Sequence, residues 1–281
     1  MQLTNPKIIK EVLQKNGFTF KKSLGQNFLI NPSVCPKMAE SAVALGETAV
    51  IEIGPGIGVL TAELAKVAKN VISIELDERL RPVLKETLSN FSNVDVIFGD
   101  AMKLDIAKLI EERFKGQKVS VCANLPYYIT SPIIMSLLES RLPITSITVM
   151  VQREAAERIC AEVGSRQSGA VTVAVNYYSE PKTLFSVSRG SFMPPPNVDS
   201  AVIRLEIRQI PPCDVSNEIG FFKFVRAAFG QRRKTLVNSV SALGGYSKEQ
   251  VKSALSACGI DQNIRVEQLS MSELAAVFEA L

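Results

Sequence analysis

The tetrapeptide Asn124-Leu125-Pro126-Tyr127 follows a short strand-like run, Lys118–Ala123. It brings three groups to one point: an amide, an aromatic ring, and a backbone carbonyl whose position the following proline restricts. A flat base with an exocyclic amine could be held there. The Asn124 side-chain carbonyl and the Leu125 backbone carbonyl are candidates to accept the two N–H hydrogens of that amine. Accepting both favours a pyramidal nitrogen with an available lone pair. The predicted chemistry is group transfer to the amine of a nucleobase.

Two aromatic side chains are candidates to hold the base. Tyr127 is the better placed to stack on it, and base–aromatic stacking contributes about 1–3 kcal/mol per base. Phe192, which precedes a proline-rich bend, could cover the opposite face. The alternative for both rings is ordinary core packing. The sequence contains no histidine, which excludes Ser-His and Cys-His triads and agrees with a transfer that needs no general base.

A second group of residues predicts a nucleoside cofactor. The segment 52–58 closes one predicted strand and opens a helix, and its glycines allow a ligand to approach the backbone closely. Glu75 ends the next strand, where a carboxylate can bind both ribose hydroxyls, and Asp100 ends the third, where it can accept an adenine N–H. Asp100 could instead cap the following helix. A nicotinamide cofactor is disfavoured because its fingerprint needs a small residue where Val59 stands. Together the two groups predict methyl transfer to a nucleobase nitrogen.

The first two-thirds of the chain alternates β-branched runs with helical patterns, which predicts an α/β fold with a mostly parallel sheet. The carboxyl ends of such strands share one edge, so Glu75, Asp100 and Asn124 should meet there. The predicted strands are Ala49–Ile53, Val71–Leu76, Val94–Phe98, Lys118–Ala123 and Ser146–Val151. The predicted helices between them are Leu60–Lys69, Arg79–Leu88 and Pro132–Glu139. Beyond Ala170, the sheet is predicted to end in antiparallel strands at Val171–Tyr178, Thr183–Val187 and Ala201–Ile207.

A break at Ile210-Pro211-Pro212 predicts a linker, after which only helical patterns recur. We expect a catalytic domain over residues 1–209, with a basic N-terminal segment at 1–37, and a small all-α domain over residues 210–281. The predicted helices of the second domain are Phe221–Val240, Lys248–Cys258 and Ser270–Leu281.

The net charge of +4 is unevenly distributed. Residues 1–37 contain six lysines and a single acid, Glu11, and residues 226–234 contain Arg226, Arg232, Arg233 and Lys234 without an acid. Either cluster alone could be a solvated face, but the two together predict a polyanionic partner. No stretch approaches the roughly 20 apolar residues of a membrane span. The odd number of widely spaced cysteines, five, argues against a disulfide framework and for a reducing cytoplasm.

Five motifs occur in the same order as in a known family: Lys22–Leu29 (KSLGQNFL), Glu52–Gly58 (EIGPGIG), Asn124–Tyr127 (NLPY), Ser191–Ser200 (SFMPPPNVDS) and Phe229–Leu236 (FGQRRKTL). On these residues the chain resembles, over nearly its whole length, the S-adenosylmethionine-dependent ribosomal RNA adenine N6-dimethyltransferases. The resemblance implies a Rossmann-like class I methyltransferase sheet. The glycine loop alone is shared with many methyltransferases, whereas the first and last motifs are specific.

The resemblance also implies a cofactor site formed by Asn27, Leu29, Gly54, Gly56, Glu75, Asp100 and Asn124. Asn27 and Leu29 would close over S-adenosylmethionine, and Gly54 with its neighbours would line the methionine moiety. Glu75 would bind the ribose and Asp100 the adenine. Asn124 would lie between the cofactor and the target base. No metal is expected.

The branch that the chain resembles most modifies two adjacent adenines near the 3′ end of small-subunit (16S) rRNA during ribosome biogenesis. The expected partner is therefore small-subunit rRNA within a pre-ribosomal particle, bound by a cytoplasmic monomer. The candidate phosphate contacts are Lys21, Lys22, Arg232, Arg233 and Lys234. Two alternatives stay open: a large-subunit rRNA methyltransferase conferring macrolide resistance, and a non-catalytic ribosome-assembly factor on the same fold.

Overall fold

A computed structural model describes residues 2–18, 28–43 and 48–281. Strands and helices alternate through the first half of the chain. The strands of the described residues are β1 (Phe28–Leu29), β2 (Thr48–Ile53), β3 (Asn70–Glu75), β4 (Val94–Phe98), β5 (Lys118–Asn124), β6 (Ile144–Gln152), β7 (Ser179–Val187), β8 (Phe192–Met193) and β9 (Ser200–Ile207). The helices up to residue 159 are α1 (Pro6–Lys15), α2 (Val34–Ala42), α3 (Val59–Val67), α4 (Arg81–Thr87), α5 (Ile106–Arg113), α6 (Thr130–Glu139) and α7 (Arg153–Ile159).

The main sheet has the strand order β4-β3-β2-β5-β6-β9-β7. Strands β2 to β6 pair in parallel, and β9 runs antiparallel to β6. The predicted fold class, a mostly parallel Rossmann-like sheet that ends in antiparallel strands, is confirmed. The register aligns the carboxyl ends of neighbouring strands, since Ile53 pairs with both Ile74 and Ala123. This alignment places the residues that follow β2, β3, β4 and β5 along one edge.

Helices pack against the sheet through apolar side chains. Every residue of β2 is buried, as expected for a central strand of a parallel sheet. On one face, α2 and α3 bury Met38 and Leu64 against the sheet, while α1 contributes Ile9 to a second apolar cluster. Burying one such side chain contributes about 1.5–3 kcal/mol. This packing fixes the strand ends that carry the polar residues.

One predicted strand is wrong: Val171–Tyr178 belongs to a helix, α8 (Ala170–Tyr178). Its β-branched residues suggested a strand, but tertiary packing overrides that weak preference. The Tyr178 ring stacks on Phe222 with 5.3 Å between centroids, and its hydroxyl donates to Glu218 Oε1 at 2.6 Å. The Thr172 side chain accepts from the Gly169 N–H at 2.9 Å and so completes the start of the helix.

The C-terminal part contains only helices after β9: α9 (Glu218–Phe229), α10 (Leu236–Leu243), α11 (Lys248–Ala257) and α12 (Met271–Glu279). The single helix predicted over Phe221–Val240 is in fact α9 and α10. Thr235 caps α10, since its side chain accepts from the Asn238 N–H at 3.4 Å, and such caps contribute about 1 kcal/mol. A capping box formed by Ser270 and Glu273 begins α12.

The chain divides into two compact units, and their division differs from the predicted single boundary after residue 209. One unit contains residues 1–156 and 182–207, and the other contains 157–181 and 208–281. Residues 157–181 join the helical unit because Tyr177 and Tyr178 pack on Phe221 and Phe222. Among the described residues, no helix is long and apolar enough to cross a membrane.

Candidate active site

A deep cleft opens at the carboxyl edge of the parallel strands. It contains about 1270 Å³ of space free of protein atoms, its open mouth included. The predicted residues that line it are Leu29, Gly54, Gly56, Glu75, Asp100, Asn124, Leu125, Pro126, Tyr127 and Phe192. The structure thus brings together every predicted cofactor and catalytic residue that it describes; Asn27 lies outside the described residues.

The glycine loop after β2 turns sharply into α3. Gly54, Gly56 and Gly58 have φ angles of +73°, +58° and +88°, in the left-handed region that favours glycine. At Gly58 an added Cβ would approach the Leu88 side chain to 3.0 Å. Helix α3 begins at Val59, so its first turn of N–H groups lies directly behind the loop. The loop therefore presents backbone rather than side chains to the cleft.

Glu75 ends β3 and is nearly buried. Its Oε2 accepts from the Gly56 N–H at 3.2 Å and its Oε1 accepts from the Asp77 N–H at 2.8 Å. These bonds fix the carboxylate against the glycine loop and leave further acceptor capacity on both oxygens. Burial raises the pKa of Glu75, while the two backbone hydrogen bonds oppose that rise. A diol that donates to this carboxylate would stabilise its ionised form.

Asp100 forms a turn and does not cap a helix. Its Oδ1 accepts from the Met102 N–H at 3.0 Å. The next helix, α5, has Asp105 as its cap instead. The alternative interpretation of Asp100 as a helix cap is therefore wrong, and its carboxylate lies at the cleft wall.

A second carboxylate, Glu52, lies beneath the glycine loop and is fully buried. Its Oε2 accepts from the hydroxyls of Thr61 at 2.6 Å and Ser73 at 2.7 Å. Its Oε1 has no hydrogen-bond partner among the residues that the structure describes. Burial raises the pKa of Glu52 to about 7, and the two hydroxyl bonds only partly offset the effect. Glu52 is consequently a buried carboxyl group in the cleft lining, and its burial favours the neutral form.

The NLPY residues leave β5 at the same edge. Asn124 is the last residue of β5 and is half-buried, with no partner for its amide within the described parts of the chain. Pro126 accepts the Ile129 N–H at 3.1 Å, so the chain turns at once into a short helical turn that carries Tyr127. The Tyr127 hydroxyl lies 2.8 Å from the Ser200 Oγ. Asn124 and Tyr127 thus both line the cleft.

Phe192 lies opposite, in a small antiparallel sheet. Strand β8 pairs with β1, and Phe192 is the partner of Leu29. The Ile30 N–H donates to the Ser191 carbonyl at 2.8 Å, which extends the pairing. Phe192 is 3% exposed and belongs to an apolar cluster, yet its ring also lines the cleft. Phe192 therefore both packs in the core and lines the cleft.

The predicted RNA contacts lie partly outside the described residues, since Lys21 and Lys22 fall in the segment 19–27. Arg232, Arg233 and Lys234 are exposed in the turn between α9 and α10. The Arg232 guanidinium donates to the Arg166 carbonyl at 2.7 Å. Within the helical unit this turn presents a concentrated positive charge.

Comparison with known proteins decides the family. A model of the family described as "Ribosomal RNA adenine dimethylase" matches residues 17–281. The chain belongs to this family. It is 48% identical to "Ribosomal RNA small subunit methyltransferase A" of Anoxybacillus flavithermus, over 99% of this chain and 96% of the relative. It is 49% identical to the protein of the same name from Geobacillus thermodenitrificans, with 99% and 97% covered.

Solved structures of related enzymes have the same fold. A 23S rRNA methyltransferase, ErmE, matches with a TM-score of 0.69 and 29% identity, over 91% of this chain and 99% of that one. A dimethyladenosine transferase from Plasmodium falciparum matches with a TM-score of 0.72 and 26% identity, over 89% and 95%. The predicted class, an S-adenosylmethionine-dependent rRNA adenine methyltransferase, is confirmed.

The cleft suits the cofactor of this family. It offers a glycine loop with little side-chain bulk, a fixed carboxylate for a diol at Glu75 and an acceptor for an amino group at Asp100. Sequence reasoning missed two exposed apolar residues beside these acceptors, Leu76 at 57% and Met102 at 41% exposure. Both line the cleft and could have been suspected, because each lies within two positions of a predicted acceptor. Among the described residues there is no group of three potential metal ligands.

Proposed function

We propose that this protein transfers methyl groups from S-adenosylmethionine to the N6 amines of two adjacent adenines near the 3′ end of small-subunit (16S) rRNA. The observation that carries the proposal is similarity over almost the whole chain to small-subunit methyltransferases, combined with a cleft that unites the cofactor and NLPY residues. Identity to the large-subunit enzyme ErmE is lower, at 29%. An intact cleft argues against a non-catalytic assembly factor.

The proposed cofactor contacts follow the cleft from floor to mouth. Gly54 and Gly56 would accommodate the methionine moiety, and Glu75 would accept both ribose hydroxyls. Asp100 would accept the adenine amino group, while Leu76 and Met102 would offer apolar surface to the ring. Bound there, S-adenosylmethionine supplies an electrophilic methyl group. Asn27 and Leu29 would cover it, and the pairing with Phe192 holds Leu29 in place for that role.

The proposed role of the NLPY residues is to prepare the amine. An adenine N6 lone pair is delocalised into the ring and is therefore a weak nucleophile. The Asn124 side-chain carbonyl and the Leu125 backbone carbonyl would accept its two hydrogens, so that the lone pair points away from the ring plane. Pro126 restricts the backbone beside the second acceptor. The proton released after transfer can pass to water, and positioning supplies most of the acceleration.

The target base would leave its stack to enter the cleft, as enzymes that modify bases require. Tyr127 would stack on one face and Phe192 would cover the other. A second methylation requires the monomethylated amine to rotate and present its remaining hydrogen.

The basic turn of the helical unit would contact RNA phosphates. Replacing Arg232, Arg233 and Lys234 together with alanine is expected to weaken rRNA binding and to flatten its salt dependence. The slope of log K against log salt should become shallower by about 0.7–0.9 for each phosphate that the variant no longer neutralises. The measurement is a filter-binding titration across salt concentrations. Lys252→Ala, a single charge on the exposed side of α11, should leave the slope nearly unchanged, and an unchanged slope in the triple variant would refute the proposed phosphate contacts.

We further propose a monomer that acts in the cytoplasm on a pre-ribosomal small subunit. The experiment offers wild-type protein and isotopically labelled S-adenosylmethionine three acceptors: naked small-subunit rRNA, unmodified small subunits and large-subunit rRNA. Mass spectrometry of nucleosides should show dimethyladenosine in small-subunit RNA, at two adjacent positions. Label confined to large-subunit RNA would overturn the proposal, and preference between the first two acceptors identifies the natural substrate.

A further inference from the structure

The motif Ser191–Ser200 contains two residues, Asp199 and Ser200, that have no role in the chemistry described so far. Ser200 begins β9 and is fully buried, and its pairing partner is Gln152 at the end of β6. Its hydroxyl oxygen lies 2.8 Å from the Tyr127 hydroxyl. This bond joins the beginning of β9 to the turn that follows β5, across residues far apart in sequence.

Ser200 is itself held firmly. The Asp199 carbonyl accepts from the Arg153 N–H at 3.0 Å, and the Asp199 Oδ1 accepts from the Arg189 N–H at 3.0 Å. The Arg153 guanidinium lies 3.8 Å from Asp199 Oδ2. These hydrogen bonds restrain Asp199 on two sides, and the pairing with Gln152 in the sheet restrains Ser200, the partner of the phenol.

Tyr127 needs such a partner because it lies in a short turn and its ring is only half-buried. A ring free to rotate about its two side-chain bonds would stack on a base in only a fraction of its orientations. A hydrogen bond at the hydroxyl restricts both rotations. Burial raises the pKa of Tyr127, although the bond to Ser200 opposes this effect, so the phenol stays protonated near neutral pH.

We propose that Ser200 is a positioning residue for methyl transfer, which orients the Tyr127 ring so that the target adenine stacks with its amine at Asn124. Ser200 touches neither cofactor nor base in this account and acts only through the tyrosine. The inference rests on the proposed function, because it assumes a flipped adenine on Tyr127. It adds a specific requirement for the phenol hydroxyl, which stacking alone does not need.

The test is a double-mutant cycle with Tyr127→Phe, Ser200→Ala and the combined variant. Each single change should lower kcat/KM for the RNA acceptor about 3- to 10-fold, the range of one neutral hydrogen bond. The combined variant should be no worse than either single one, within about twofold. The dissociation constant for S-adenosylhomocysteine should stay unchanged throughout. Reductions that multiply in the combined variant, or single changes without effect, would overturn the proposal.

Ser146→Ala provides a matched control. Ser146 is buried in β6, where it pairs with Glu206 of β9, and its hydroxyl has no partner among the described residues. Its removal should leave kcat/KM within about twofold of wild type, and thermal unfolding of all variants reports on folding. The cycle is run on whichever rRNA the wild type methylates. An incorrect proposed function would therefore be seen as the wild type methylating a different rRNA. An incorrect role for Ser200 would be seen as an absence of coupling between the Tyr127 and Ser200 substitutions.

Discussion

Replacing Asn124 with alanine is expected to lower the rate of methyl transfer by about 100- to 1,000-fold, the cost of removing one preorganised group from a charge-stabilising site. The side chain supplies one of two proposed acceptors for the amine, and its amide has no competing partner among the described residues. Without it, one N–H of the amine would bond only to water, and the nitrogen lone pair would stay delocalised into the ring. Single-turnover kinetics at saturating cofactor measures the effect, with affinity for S-adenosylhomocysteine expected to change little.

Asn70→Ala is the matched control for this variant. Asn70 is also half-buried, but it is the first residue of its strand, β3, rather than the last. Its side-chain amide donates to Gln117 at 3.2 Å. Near-normal transfer is expected there. Turnover close to wild type in Asn124→Ala would defeat the proposal that this amide prepares the amine, and a matching loss of cofactor affinity would assign it to cofactor binding instead.

Replacing Glu75 with alanine is expected to weaken cofactor binding by at least about 100-fold. A hydrogen bond to a charged group contributes about 1.5–3 kcal/mol, two such bonds to the ribose would be absent, and each 1.4 kcal/mol is tenfold in affinity. The glycine loop would also lose the bond from Gly56 N–H. Calorimetric titration with S-adenosylhomocysteine measures the change.

Two further variants separate ligand contact from loop support. Glu75→Gln keeps an acceptor for the loop but removes the charge, and we expect an intermediate affinity. Glu78→Ala removes an exposed carboxylate three positions away, which pairs only loosely with Arg81 at 3.4 Å. Its affinity should match wild type. Full affinity in Glu75→Ala would exclude the ribose contact.

The sheet was predictable from sequence because β-branched runs such as Val94–Phe98 alternate with helical patterns and end at polar residues. The same residue types failed at Val171–Tyr178, where aromatic packing against Phe222 rather than β-propensity selects a helix. The division of Phe221–Val240 was missed, although Gly230 and Thr235 are residue types typical of a helix end and a helix start. The cap at Thr235 depends on where the next turn begins, which periodicity does not reveal.

Much of the cleft was also predictable, since parallel strands place their carboxyl ends at one edge. Glu75, Asp100 and Asn124 each follow a strand and line the same cleft. What the sequence could not supply was the contacts between distant segments. The bond between Tyr127 and Ser200 and the pairing of Leu29 with Phe192 depend on how loops return to the sheet.

The most direct measurement of the central proposal is a crystal structure with S-adenosylhomocysteine and adenosine, or a short RNA, in the cleft. The account predicts that the adenine N6 lies about 2.7–3.2 Å from both the Asn124 side-chain oxygen and the Leu125 carbonyl, and faces the cofactor sulfur. A base bound with its amine directed away from these two oxygens would contradict it.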